Sequence, residues 1–295
     1  MSDYLTEKTK EALLFSDKER IRYILTPKWI GYPVAKNVIN KLSDLLVHPK
    51  THRMPNMLII GETNNGKTMI AKKFFKMHPA DLNKNGDSAK IPVLLVQSPP
   101  VPDEGRFYNN ILKLLMAPHK TSDRIDKKEH QVRVILENVG TKMLIVDEIH
   151  HVLAGSLNKQ KSFLNVIKYL GNELQIPIVG IGIKDAEIAI NTEPQLANRF
   201  ERVRILKWKL DQDFVRFLMS FERLLPLKKQ SNLHEANIAQ KLHTMSEGYV
   251  GELTAVINKA AIQAIRDQAE RISIKTLNKL KWVGPSERKK HSNRS

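Results

Sequence analysis

Gly61-Glu62-Thr63-Asn64-Asn65-Gly66-Lys67-Thr68 reads G-x-x-x-x-G-K-T, a spacing suited to cradling a triphosphate. The two glycines let the backbone curl until successive N–H groups point inward, toward an anion seated on the N-terminus of the next helix. In that geometry Lys67 reaches the β- and γ-phosphates and the Thr68 hydroxyl ligates Mg²⁺. The expected nucleotide-binding set is Gly61, Glu62, Thr63, Asn64, Asn65, Gly66, Lys67, Thr68 and Met69, with Asp147 from further along the chain. ATP is the expected ligand.

Asp147 and Glu148 follow Met143-Leu144-Ile145-Val146. Four apolar residues ending in Asp-Glu predict a buried strand that delivers two carboxylates to its C-terminal edge, where ligands sit in an open α/β sheet. The pair lies roughly 80 residues after the loop, at the Walker B position of the P-loop class. Asp147 and Thr68 would then be the Mg²⁺ residues, Asp147 acting through water. Glu148 would orient or deprotonate the attacking water, and Lys67 is the other catalytic residue within the subunit.

Three further groups carry weaker signals. Arg199, in Gln195-Leu196-Ala197-Asn198-Arg199-Phe200-Glu201, lies just after a fourth apolar run. It could project across a subunit boundary toward a neighbour's γ-phosphate, or pair with Glu193 or Glu201 on a solvated helix. Lys120, Arg124, Lys127, Lys128 and Arg133 are either a solvated helix face or a DNA-facing surface. His150 and His151 read as polar residues opening a helix, because no second cluster has ligand spacing and there is no Cys.

These residues need a particular frame. Met57-Leu58-Ile59-Ile60 predicts a buried strand before the loop, and Met69 to Phe75 a helix after it. Ile91 to Val96 and Ile176 to Gly182 predict two more buried strands, with amphipathic helices around Phe107–Met116, Val132–Val139 and Phe163–Leu170. Upstream, Ser16-Asp17-Lys18-Glu19 has the form of a capping box before a helix, and Val34 to Leu46 predicts another. Trp29 and Tyr32 could line an adenine pocket or simply pack on the first helix. Beyond Asp211 the chain reads as wholly helical, with Phe214, Phe217, Leu218, Phe221 and Leu224 in one stripe. The expected organisation is a helical segment over 1–50, an α/β domain over 51–208, a helical lid over 209–282 and a basic, disordered tail over 283–295.

Composition narrows the class. Forty-eight Lys and Arg against 31 Asp and Glu leave a net charge of +17 in 295 residues, the balance expected of a nucleic-acid partner. The absence of Cys removes disulfides and thiolate chemistry. No apolar run reaches the ~18 residues of a membrane span, and Met1 to Glu7 shows no secretory pattern. A reducing cytoplasm is the expected location.

Taken together, the order of parts resembles the TniB family of AAA+ transposition ATPases, relatives of the TnsC regulators. The matching stretches are Arg22 through Trp29-Ile30-Gly31-Tyr32, Arg53-Met54-Pro55-Asn56 running into the loop, and Leu144 to Leu153 around Asp-Glu-Ile-His. Gln195 to Phe200, Leu225-Pro226-Leu227 and Ser246-Glu247-Gly248 continue them. The resemblance implies an AAA+ P-loop domain, a parallel sheet flanked by helices, followed by a small all-helical lid. It also implies ATP-dependent assembly on double-stranded DNA as a homo-oligomeric ring or filament, recruitment of a DDE transposase and, in many systems, a target-selection factor. Hydrolysis would control disassembly, with Arg199 as the finger.

Two departures from the family pattern stand out. The polar sensor 1 residue expected at the end of the fourth strand is replaced by Gly182-Ile183-Lys184, and no sensor 2 arginine appears in Gly251-Glu252-Leu253-Thr254. These gaps leave open an ATP-binding scaffold without turnover. A helicase-loader or initiator-type AAA+ ATPase shares the same core and basic charge, and an AAA+ machine acting on protein shares the core.

Overall fold

The computed structural model describes residues 4–82, 86 and 88–292. The chain divides into two compact units: Val34–Thr63 with Lys67–Ile205, and Met1–Pro33 with Asn64–Gly66 and Leu206–Ser295. The segment 1–50 is therefore split between them at Pro33.

The first unit is built on a five-stranded sheet of β1 (Asn56–Gly61), β2 (Val93–Gln97), β3 (Met143–Asp147), β4 (Ile178–Gly182) and β5 (Phe200–Ile205). The strand order is β2-β3-β4-β1-β5, and every pairing is parallel. β1, β3 and β4 are apolar almost throughout because helices cover both faces of such a sheet, and nearly every residue in them is buried. Their interior partners include Phe107 and Phe163, whose rings meet edge-on with centroids 5.1 Å apart, and Ile111, Leu136 and Ile167. Asn56 ties the start of β1 to its neighbour, its Oδ1 accepting from Ile178 N at 2.8 Å. Parallel strands put their C-terminal ends on one edge. Ile60 pairs with Gly182, and Gln97 with Asp147, so the loop after β1 and the carboxylates after β3 are delivered to the same edge.

β5 corrects the sequence reading. Only Pro194–Ala197 is helical there, and Phe200–Ile205 is an edge strand. Its Phe200, Val203 and Ile205 are buried while Glu201, Arg202 and Arg204 face outward. An edge strand with charged outward residues lacks the apolar run that marks the inner strands.

The second unit is helical. Helix Asp17–Leu25 carries the expected capping box, Glu19 N donating to Ser16 Oγ and Ser16 N to Glu19 Oε2 at 3.0 Å. Arg20, fully buried, spans to Glu270 and to the carbonyl of Pro226. Tyr32 packs against Trp208, centroids 5.0 Å apart, and against Phe217, aromatic partners other than the first helix expected from sequence. The tail also departs from expectation. Pro285–Ser292 is a helix, started by a Pro after Gly284, a favoured first-turn residue; residues 293–295 lie outside the described residues. Among the described residues no helix is long and apolar enough to cross a membrane.

Candidate nucleotide-binding site

The loop after β1 turns through Asn64 at φ 60° and Gly66 at φ +83°. Asn tolerates the left-handed region and Gly enters it freely, which explains these residue types at the bend. Lys67 begins the helix Lys67–Met77. Its Nζ turns back to donate to Gly61 O at 2.7 Å and Glu62 O at 2.8 Å, so the ammonium is stored on its own loop. Burial holds Lys67 below the usual lysine range, while Glu148, Asp147 and Glu62 oppose that shift.

β3 brings the carboxylates to this helix. Thr68 Oγ1 donates to Asp147 Oδ2 at 2.9 Å, and Glu148 N donates to Asp147 Oδ1 at 3.0 Å. A hydroxyl and a carboxylate meeting at hydrogen-bond distance form an all-oxygen donor set, the kind Mg²⁺ prefers. Glu148 leaves the strand at φ 56°, ψ 37°, a strained conformation for a residue with a side chain. That turn feeds the 3-10 helix Ile149–Ala154, so His150 and His151 do sit at a helix start. They also lie closer to Glu148 than the sequence revealed. One ligating atom from each of Glu148, His150 and His151 falls within 4.8 Å of the others. His150 Nδ1 is 3.2 Å from Glu148 Oε2.

The more distant candidates are not gathered here. Arg199 sits between helix Pro194–Ala197 and β5, its Nη1 donating to Asn172 Oδ1 at 2.7 Å. Neither carboxylate considered from sequence holds it: Glu193 faces Lys168, and Glu201 pairs with Lys41. In the basic run, Arg124 pairs with Asp126, Lys127 with Asp123 and Arg133 with Glu137. Lys128 is buried, its Nζ donating to Thr121 O at 2.8 Å, so it presents no charge at the surface; Lys120 is exposed.

Asn64–Gly66 group with the helical unit, where sequence reasoning found nothing. Gly251 N donates to Asn64 O at 2.8 Å, and Asn64 Nδ2 donates to Glu252 Oε1 at 2.9 Å. Glu252 is buried, and its second oxygen accepts from the Arg288 guanidinium of the tail helix. An acid therefore stands where the resemblance led us to expect an arginine. Glu247 anchors the start of the same tail helix, accepting from Ser286 N at 2.9 Å. The spacing Glu247…Glu252 before a basic tail was the available signal, but only the fold pairs the two.

Comparison with known proteins gives the architecture a place. The model of the bacterial TniB protein family matches residues 20–210. A search among curated proteins returned no match. Among solved structures, the ORC2 protein of Aeropyrum pernix, in ADPNP and ADP complexes, is 13% identical with a TM-score of 0.63, covering 88% of this chain and 70% of that one. Cdc6p of Pyrobaculum aerophilum is 15% identical with a TM-score of 0.62, covering 89% and 69%. Aeropyrum pernix ORC1, solved with DNA, is 14% identical with a TM-score of 0.57, covering 92% and 69%. At these identities the likeness is one of fold, the AAA+ P-loop fold with a helical C-terminal region. With the family model spanning well over half of its length, the chain belongs to the TniB family.

Proposed function

We propose that this protein is a cytoplasmic, ATP-dependent, DNA-binding regulator of transposition. It assembles as a homo-oligomer, ring or filament, on double-stranded DNA and engages a DDE transposase, with a target-selection factor as a further partner. The observation that carries the nucleotide half is the meeting of Lys67, Thr68, Asp147 and Glu148 at one sheet edge, with Thr68 Oγ1 and Asp147 Oδ2 2.9 Å apart. Membership of the TniB family supports the transposition half, and the net charge of +17 supports DNA.

In this reading, Lys67 leaves Gly61 O and Glu62 O for the β- and γ-phosphates as the N–H groups of residues 61 to 69 close on the triphosphate. Thr68 and Asp147 would hold Mg²⁺, which when bound supplies positive charge to the phosphate oxygens. Glu148 takes the proton of a water as its oxygen attacks the γ-phosphorus; the bond from that phosphorus to the β–γ bridging oxygen breaks, and ADP leaves with the electron pair. Arg199, held by an amide and in no ion pair among the described residues, keeps its charge for a neighbouring subunit's γ-phosphate. Loss of that phosphate would loosen the subunit contacts and release DNA.

Filter binding of duplex DNA across a salt series, with and without ATP, tests the proposal. Retention should need ATP and fall steeply with salt, and Lys67→Ala should abolish the ATP-dependent retention. Absence of ATP-dependent retention at low salt would refute it. A scaffold that binds ATP without turnover is the second reading, favoured by Gly182 and Glu252 at the two sensor positions. Phosphate release in the presence of DNA and transposase separates the two.

A further inference from the structure

β4 ends at Gly182, beside Ile60 of β1, on the edge where Asp147 and Glu148 leave β3. A side chain starting at Gly182 has no room. Its Cβ would lie 2.7 Å from Cβ of Ala186 and 3.2 Å from Nδ1 of His150. The space at the end of β4 is thus shared by the Ala186 methyl, the nearer of the two, and an imidazole brought in from the turn after β3. That imidazole is not a simple filler. Its Nδ1 is buried and makes no hydrogen bond, and the carboxylate it faces is Glu148, with Oε2 at 3.2 Å.

A buried ring nitrogen left without a partner is costly, and an apolar side chain would cover Gly182 at no such cost. The glycine is also a cost, because it weakens a strand interior and marks a close approach. The Ala186 methyl accounts for the glycine; the unpartnered nitrogen is explained if it is kept for the carboxylate beside it. Burial pushes His150 below the ordinary imidazole value of 6.5 although Glu148 opposes it, so the ring carries a single proton at neutral pH.

We infer that His150 is a positioning residue for Glu148: a small turn of the ring brings its Nδ1–H from its present 3.2 Å approach onto one carboxylate oxygen, so that the other faces the attacking water. The inference rests on the reading of Glu148 as general base. The proton from water goes to the free carboxylate oxygen, the bond to the β–γ bridging oxygen breaks as before, and His150 neither gains nor loses a proton. The imidazole also supplies the polar group that Gly182 cannot carry, a replacement invisible in sequence because it comes from a different strand end.

The test is steady-state ATP turnover with duplex DNA, together with fluorescent-ATP binding, for wild type, His150→Ala, His150→Asn and His150→Gln. An Asn amide nitrogen lies near the place of Nδ1, whereas a Gln amide lies near Nε2. His150→Ala should lower kcat by about 10- to 100-fold, the scale of a misplaced catalytic group, with KM and ATP affinity nearly unchanged. Asn should restore most of kcat and Gln should not. Adding His150→Ala to Glu148→Gln should cost nothing more, since the two act as one unit. Wild-type kcat in His150→Ala, rescue by Gln equal to that by Asn, or a loss of ATP binding that matches the loss of kcat would each overturn the inference. A wild type that turns over while Glu148→Gln is unimpaired removes the general-base reading instead, and a wild type without turnover removes both.

Discussion

The two units hold their charges in opposite ways. In the helical unit, buried charges are saturated. Arg20 donates to Asp17, Glu270 and the carbonyl of Pro226, and Glu222 accepts from the N–H groups of Ser231, Asn232 and Leu233 at 2.7 to 3.1 Å. At the sheet edge the charges are under-committed: Lys67 rests on two carbonyls, Glu148 on a strained turn beside an unpartnered His150 nitrogen. A saturated buried charge has nothing left to offer a ligand, so it fixes structure. A half-satisfied one keeps capacity in reserve, and that reserve is what a binding site requires.

The largest expected effect breaks the saturated side. Arg20→Ala strands the Glu270 carboxylate in the interior and should cost about 3–5 kcal/mol in urea unfolding, while nucleotide affinity of the remaining folded protein is unchanged. A loss below about 1 kcal/mol would show that the pair is not structural in this sense. The same pair has a pH signature. Burial alone would raise Glu270, but the Arg20 hydrogen bond, Lys228 N and the guanidinium charge outweigh it and leave the carboxyl below its ordinary 4.5. A folded value below the unfolded one means that the contribution is full above pH 4.5 and fades as pH falls through the lower folded value. Glu270→Gln should remove that portion of the acid destabilisation.

The next effect lies on the under-committed side. If Glu148 is the proposed base, Glu148→Gln keeps the shape and removes it, so turnover should fall at least ~100-fold with unfolding free energy unchanged or slightly raised. A strained acidic turn has little to lose in stability. If Glu148→Gln proved as destabilising as Arg20→Ala, the contrast between the two units would fail.

The chemistry-bearing runs were legible because their physics is local. A G-x-x-x-x-G-K-T turn between strand and helix, and an apolar strand ending in Asp-Glu, each state their geometry in consecutive residues, and the fold brings Thr68 to Asp147. What stayed hidden depends on residues far apart in the chain. β5 was missed because an edge strand buries one face only. The partners of Arg199 were missed because Asn172 comes from another helix. His150 packing at the end of β4, and Glu252 reaching Asn64, are contacts across 32 and 188 positions that no spacing rule links.

Glu252 sharpens the comparison because it is a saturated charge that holds a loop residue grouped with its own unit. It is buried and doubly bonded, as in the saturated class, yet one partner is Asn64 of the phosphate loop. Glu252→Gln can still accept from Asn64 but cannot hold Arg288 as an ion pair. We expect a loss of about 1–2 kcal/mol, and amides of the tail helix Pro285–Ser292 should lose protection in hydrogen exchange. Unchanged protection would mean that the Ser286–Glu247 bonds alone fix the tail.

The smallest effects belong to the basic run, where one segment contains both kinds of charge. Lys127 is neutralised by Asp123 at 2.8 Å, whereas Lys120 is exposed and in no ion pair among the described residues. If the segment meets DNA, Lys120→Ala should reduce the slope of log affinity against log salt by about 1, the signature of one lost phosphate contact. Lys127→Ala should change it less, because the Lys127 charge is already offset by Asp123 and the aspartate left behind repels phosphate only weakly through solvent and salt. Equal, unaltered slopes in both variants would take residues 120–133 off the DNA-binding surface and leave that surface to other exposed cations. A larger change from Lys127 than from Lys120 would show that the Asp123 pair opens on DNA, so that commitment to a surface carboxylate, unlike the buried pairing of Arg20, does not retire a charge from binding.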